Sequence, residues 1–193
     1  MRIRYLLCLI LIIYIISGCS SSARLNYLKG VIDEAVEKQD LSICDKIKEQ
    51  GWKDGCYKEV GGKMQNLSIC NEIIDKAQKD ECYGYVAAGK ADLSICNEIN
   101  DSEWKDWCYS KIALIKEDVD ICDRIYKNGT KNSCYNSLAA KKLDANICNK
   151  IQASDIGDDC YGYVAVIQQD LNVCDKIENI AKKSQCQSGI LTK

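Results

Sequence analysis

The chain has 193 residues, 26 Lys and Arg against 28 Asp and Glu, a formal net charge of −2, and neither histidine nor proline. A weakly acidic chain does not suit nucleic acid or an anionic membrane face, and its ordinary apolar content is that of a globular protein. Lack of histidine excludes Ser-His and Cys-His nucleophiles and C-x-x-C-H haem attachment.

The first 18 residues stand apart from the rest. Arg2 and Arg4 precede an apolar run from Leu6 to Ile16, and small Ser17 and Gly18 follow. This is the layout of a secretory signal, and the run is too short to span a bilayer comfortably. Ile16-Ser17-Gly18-Cys19 resembles the lipobox of prokaryotic lipoproteins, with Ile16 where that family usually has Leu. The resemblance implies cleavage between Gly18 and Cys19 and lipid on the Cys19 thiol. It makes 1–18 a signal peptide and 19–22 a lipidated cysteine with a serine tether. Two acyl chains suffice for stable anchoring. Loss of the leader leaves 24 basic against 28 acidic residues, a net charge of −4.

Residues 23–39 read as a single capping helix, with Ala35 in a small-residue slot and Gly30 in the slot that later holds cysteine. From residue 38 to 193 a 26-residue unit repeats six times without insertion. Its metre is set by Cys44, Cys56, Cys70, Cys82, Cys96, Cys108, Cys122, Cys134, Cys148, Cys160, Cys174 and Cys186, spaced alternately by 12 and 14. Each unit opens on Asp or Asn (Asp40, Asn66, Asp92, Asp118, Asp144, Asp170), a helix N-cap. An apolar trio such as Ile69/Cys70/Ile73 then marks a first helix of about two and a half turns. After a polar break, sets such as Cys82/Tyr83/Val86/Ala87 mark one face of a second helix. The expected fold is all-α: an α/α solenoid of six helical hairpins.

Two regular pairings of the cysteines are open. Bonds across 14 residues would join successive repeats and strand Cys44 and Cys186; bonds across 12 residues use all twelve cysteines within hairpins. Gly30 offers Cys44 no upstream partner, and Cys44 and Cys56 flank the turn near Gly51 symmetrically. One internal disulfide per hairpin is therefore expected, each closing a loop worth about 3 kcal/mol. No C-x-x-C occurs, so no metal or cofactor is expected. In general plan the array resembles the Sel1-like α/α repeat proteins of bacteria, where a disulfide also joins the two helices of each repeat. That likeness implies an exported interaction scaffold and transfers no binding residue.

Asp54, Asp80, Asp106 and Asp158 recur near the start of second helices, a ladder that suits structural work rather than a catalytic pair. Tyr57, Tyr83, Tyr109, Tyr135 and Tyr161 share the cysteine face and are assigned to the core. Tyr85 and Tyr163, in the identical segments 82–87 and 160–165, are assigned to a more accessible face. Trp107 breaks the rule of its slot, held elsewhere by Gly55, Glu81, Ser133, Asp159 and Gln185. Trp104 lies one turn before it, and Trp52 holds the Trp104 slot in the first repeat. These three tryptophans are the candidate binding surface; their other reading is to cover the turns between repeats. The expected function is a lipid-anchored, non-enzymatic protein-binding or scaffolding module of the cell envelope, with the membrane and a protein as partners. The alternatives are a carbohydrate or cell-wall binder and a purely structural envelope element.

Overall fold

A computed structural model describes residues 25–192. The signal peptide, Cys19 and the serine tether fall outside those residues. Within them the chain is a helical repeat array, and no helix is long and apolar enough to cross a membrane.

A helix over residues 25–38 leads into the first repeat. Each repeat is then one short helical segment and one long helix. The short segments are Ser42–Asp45, Leu67–Asn71, Leu93–Glu98, Val119–Arg124, Ala145–Cys148 and Leu171–Cys174. The long helices are Gln50–Met64, Lys76–Lys90, Ser102–Lys116, Asn128–Lys142, Ser154–Gln168 and Ile180–Leu191. The short segments correct the expectation of two and a half turns. They hold only 4 to 6 residues, and the fourth is a 3-10 helix. The third apolar residue of the trio already lies outside the helix: Ile99 and Ile125 are extended, each with ψ near 127°. Both are nevertheless buried, because the extended stretch itself runs along the core. A single turn cannot persist alone in water, so other ties must hold it.

Four ties recur at the 26-residue interval. The first is the N-cap: the carboxylate or amide oxygen of Asp40, Asn66, Asp92, Asp118, Asp144 and Asp170 accepts from the backbone N–H two residues on. It satisfies an N–H that no helical carbonyl can reach. The second is covalent. Six disulfides join cysteines 12 residues apart, within hairpins, with Cα–Cα distances of 5.6 to 5.9 Å.

The third tie lies one residue beyond the bridge in repeats one, three, four and five. The Tyr57 hydroxyl donates to Asp45 and that of Tyr109 to Asn97, each at 2.7 Å; Tyr135 donates to Asp123 and Tyr161 to Asn149. These phenols are the tyrosines expected in the core, and Tyr57, Tyr109 and Tyr135 are buried there. Burial, and then the Asp45 carboxylate, push the Tyr57 phenol up to about 12. The same two causes raise Tyr135.

The fourth tie links one repeat to the next. Asp54, Asp106 and Asp158 are buried near the starts of their long helices. Each carboxylate accepts two backbone N–H groups from the following repeat, 20 and 21 residues on: Ile74 and Asp75, Tyr126 and Lys127, Glu178 and Asn179. Those donors stand at the entrance of the next long helix, where N–H groups lack helical partners. In repeat four the slot is Asn132, and its oxygen accepts one such bond, from Gln152, at 3.2 Å.

Between repeats the chain reverses through a left-handed residue: Gln39, Gln65, Ala91, Glu117, Leu143 and Gln169 have φ of 50° to 57°, and none is glycine. The N–H after each reaches back five residues, as from Asn66 to the Gly61 carbonyl and from Asp118 to the Ala113 carbonyl. This closes the long helix by a Schellman-type bond. One tetrad of local chemistry (long helix, left-handed residue, N-cap, short segment) thus recurs with the metre of the cysteines.

The chain divides into two compact units at Cys82/Tyr83. In the first, Leu28, Val31 and Ala35 of the leading helix are buried, as are Ile43, Val60, Ile69 and Ile73. Its packing is closest at Gly61, where a Cβ would stand 2.9 Å from the Cys82 sulfur. Every other repeat from two to five carries Ala in that slot. In the second unit, Val86, Ile99, Ile112, Ile125, Leu138, Val164 and Ile177 are fully buried.

Candidate functional site

Successive long helices leave a groove between them, and the repeat register decides what fills it. The groove wall from one helix is a Gly-Tyr pair in two places, Gly84-Tyr85 and Gly162-Tyr163, exactly three periods of 26 apart in register. The opposing helix contributes Trp104 and Trp107 in the first case and Lys182 and Gln185 in the second.

Over Gly84 the groove is full. Trp104, Trp107 and Tyr85 pack edge to face, with ring centroids 5.3 to 5.8 Å apart, an arrangement the ring quadrupoles favour. A Cβ on Gly84 would touch both indoles at 3.4 to 3.5 Å, so they lie directly on the backbone of the neighbouring long helix. Lys111 holds its ammonium 5.4 Å from the centre of the Trp107 ring. Trp104 and Trp107 are half-buried, each packed edge to face against the other and against Tyr85. They bridge two long helices rather than a turn.

Over Gly162 the groove is open. Among the described residues the only atom within 4 Å of a Cβ placed there is Ile177 Cδ1, at 3.8 Å; neither Lys182 nor Gln185 covers the glycine. The result is a cleft of about 530 Å³, walled by Gly162, Tyr163, Val166 and Ile167 on one helix and Lys182, Gln185 and Gly189 on the other, with Asp158 and Asp159 at one end. Tyr163 is 53% and Ile167 50% exposed, large apolar groups left at its rim. The Lys182 ammonium is drawn to the end of the cleft, 2.6 Å from Asp159 Oδ1 and 3.0 Å from the Asp155 carbonyl. The Asp159 hydrogen bond raises its pKa. The buried Asp158 carboxylate, already accepting two backbone N–H groups, closes the floor at that end.

Trp52 lies in the first unit, half-buried beside the leading helix. It borders two smaller clefts of about 370 and 350 Å³, lined with it by Leu28 and by charged neighbours such as Lys29, Asp33 and Lys46. Part of that space exists because Gly55 stands in the slot that Trp107 fills in repeat three.

Of the residues singled out in the sequence, Trp104 and Trp107 come together, and Tyr85 joins them. Tyr163 is the accessible tyrosine, whereas Tyr85 is half-buried. Comparing residue types slot by slot could have revealed the open cleft, since Lys182 and Gln185 replace the two indoles. No group of three or more His, Cys, Asp or Glu side chains placed to hold a metal occurs among the described residues. Twelve cysteines are consumed in disulfides there. Six such bonds are the chemistry of a chain that folds in an oxidising, exported environment.

No protein-family model, no curated protein and no solved structure matches this chain. The likeness to Sel1-like repeats is therefore one of design alone.

Proposed function

We propose that this is an exported, lipid-anchored protein of the cell envelope whose repeat array holds another protein and catalyses no reaction. The leader supports the anchor: its apolar run ends in Ile16-Ser17-Gly18-Cys19, a small-small-Cys close that suits lipidation of Cys19. Binding is supported chiefly by the repeated inter-helix grooves, one of which carries exposed Tyr163 and Ile167. A stack of short hairpins, each closed by a disulfide, presents such grooves on a stiff frame, so little freedom is lost when a partner docks. Carbohydrate binding through Trp104 and Trp107 is the weaker reading, because both indoles are half-buried and packed on each other and on Tyr85, with Lys111 over the Trp107 ring.

Three measurements test this. Cys19→Ala should abolish acyl labelling, and replacing residues 1–19 with a leader that is cleaved without lipidation should move the protein from the membrane fraction to the soluble one. A photoreactive residue at Ile167 should crosslink one defined protein in intact cells. A Cys19→Ala protein that still takes acyl label overturns the anchor, and absence of any specific crosslinked protein at Ile167 or along the array overturns the binding role.

A further inference from the structure

We propose that the cleft between Ser154–Gln168 and Ile180–Leu191 receives an aromatic side chain, above all a tryptophan indole, from the partner polypeptide. This rests on the protein-binding reading and names the chemistry that the partner brings.

The chain itself shows what fits. Segments 82–87 and 160–165 are the same Cys-Tyr-Gly-Tyr-Val-Ala, so the two grooves start from one wall. In repeat three the chain fills the space above that wall with Trp104 and Trp107, whose rings lie 3.4 to 3.5 Å from where a Gly84 Cβ would stand and edge to face on Tyr85. In repeat six the opposing slots hold Lys182 and Gln185, and the space above Gly162 stays empty but for Ile177 at 3.8 Å. A cleft of about 530 Å³ falls in the range of specific ligand sites, roughly 300–1,000 Å³. Its walls suit an aromatic group: Gly162 leaves room at the floor, Tyr163 contributes a ring, and Val166, Ile167 and Ile177 give apolar flanks.

The polar groups sit where an indole needs them. Asp159 and Gln185 lie at the rim and supply acceptors for an indole N–H. The Lys182 ammonium is held off by Asp159 and by the Asp155 carbonyl, so it does not cross the cleft. Rigid aromatic anchors filling desolvated pockets dominate protein interfaces, and burying Tyr163 and Ile167 under such an anchor removes exposed apolar surface.

The test is a titration of residues 19–193 carrying Cys19→Ser, which has neither leader nor lipid, with N-acetyltryptophanamide, followed by amide NMR. Shifts are expected to cluster at Gly162, Tyr163, Val166, Lys182, Gln185 and Gly189. N-acetylleucinamide should bind at least tenfold more weakly. Lys182→Trp with Gln185→Trp, which rebuilds the filled groove of repeat three, should abolish binding. Tyr163→Ala, at an exposed position that leaves the core intact, should weaken it at least fivefold. The proposal is overturned if the indole probe shifts none of these amides, if the leucine probe binds equally, if Tyr163→Ala binds normally, or if chitotriose occupies the cleft and the indole does not. A failed titration beside a specific crosslinked partner removes only this cleft. A normal titration with no partner in cells instead removes the protein-binding function.

Discussion

Asp106→Asn isolates the tie between repeats. The Asp106 carboxylate accepts from Tyr126 N–H at 2.8 Å and from Lys127 N–H at 2.9 Å. Hydrogen bonds to a charged group contribute about 1.5–3 kcal/mol each. Asparagine keeps one acceptor and turns an NH2 group toward the second N–H, so one bond is lost and two donors face each other. The expected cost is about 2 kcal/mol. The protein contains its own control, since Asn132 in the next repeat accepts a single bond, from Gln152. Asn132→Asp should restore the second acceptor and stabilise by about 1 kcal/mol. In a repeat array the stability is a sum of repeat terms and interface terms. Asp106 belongs to the interface, so its loss should also broaden the transition. Removing the bridge with Cys122→Ala and Cys134→Ala should lower the repeat's own stability by about 3 kcal/mol. Guanidinium melts under non-reducing conditions, read by circular dichroism, measure both midpoint and slope. An Asp106→Asn protein within about 0.5 kcal/mol of the parent (smaller than a lost charge-assisted bond allows), or an Asn132→Asp protein less stable than it, would refute the clamp.

Gln65→Gly and Ala91→Gly should each stabilise by about 0.5–1 kcal/mol in the same melts, because both residues sit in the left-handed region, at φ 51°, where a Cβ is costly. Glycine-to-alanine changes should have opposite signs at two helical sites. Gly84→Ala meets the indoles at ordinary contact and gains helix propensity of about 0.5–1 kcal/mol, whereas Gly61→Ala drives a Cβ to 2.9 Å from a tethered sulfur and should lower the midpoint. At high pH the Tyr57 phenol, near 10 when unfolded, is held up to about 12 in the fold by burial and by Asp45. The fold therefore binds its proton longer than the unfolded chain does. That contribution is fully present below about pH 10 and lost as pH rises through about 12. Ultraviolet titration of the phenols should show Tyr57 ionising late, and Tyr57→Phe should flatten the alkaline stability slope.

Much of the repeat was legible because its ties are local. A cysteine and its partner 12 residues on, an N-cap Asp and the N–H two residues later, and a tyrosine one place beyond the bridge all lie within one hairpin. Short-range spacing carries such information directly. The length of the first helix was misjudged because an apolar residue at i+4 looks the same whether the chain stays helical or, as at Ile99, turns extended along the core. The left-handed residues escaped notice because none is the glycine that usually marks that conformation. Their slot is held by Gln, Ala, Glu or Leu, and only the backbone reveals it.

The recurring Asp54, Asp106 and Asp158 were visible as a ladder, but their partners, 20 and 21 residues away on another repeat, were not. The same holds for the aromatic slots. Sequence marked Trp107 as an exception to its slot, Trp104 one turn before it, and Tyr163 as a tyrosine on a more accessible face. Packing of one long helix on the next decided that two of them would be spent inside the chain and the third left at the rim of an open cleft. Covalent metre, capping and the hairpin bridges are written along the chain, since each joins near neighbours through fixed bonds and backbone geometry. Which surfaces close and which stay open depends on side-chain volumes that meet only when separate repeats stack.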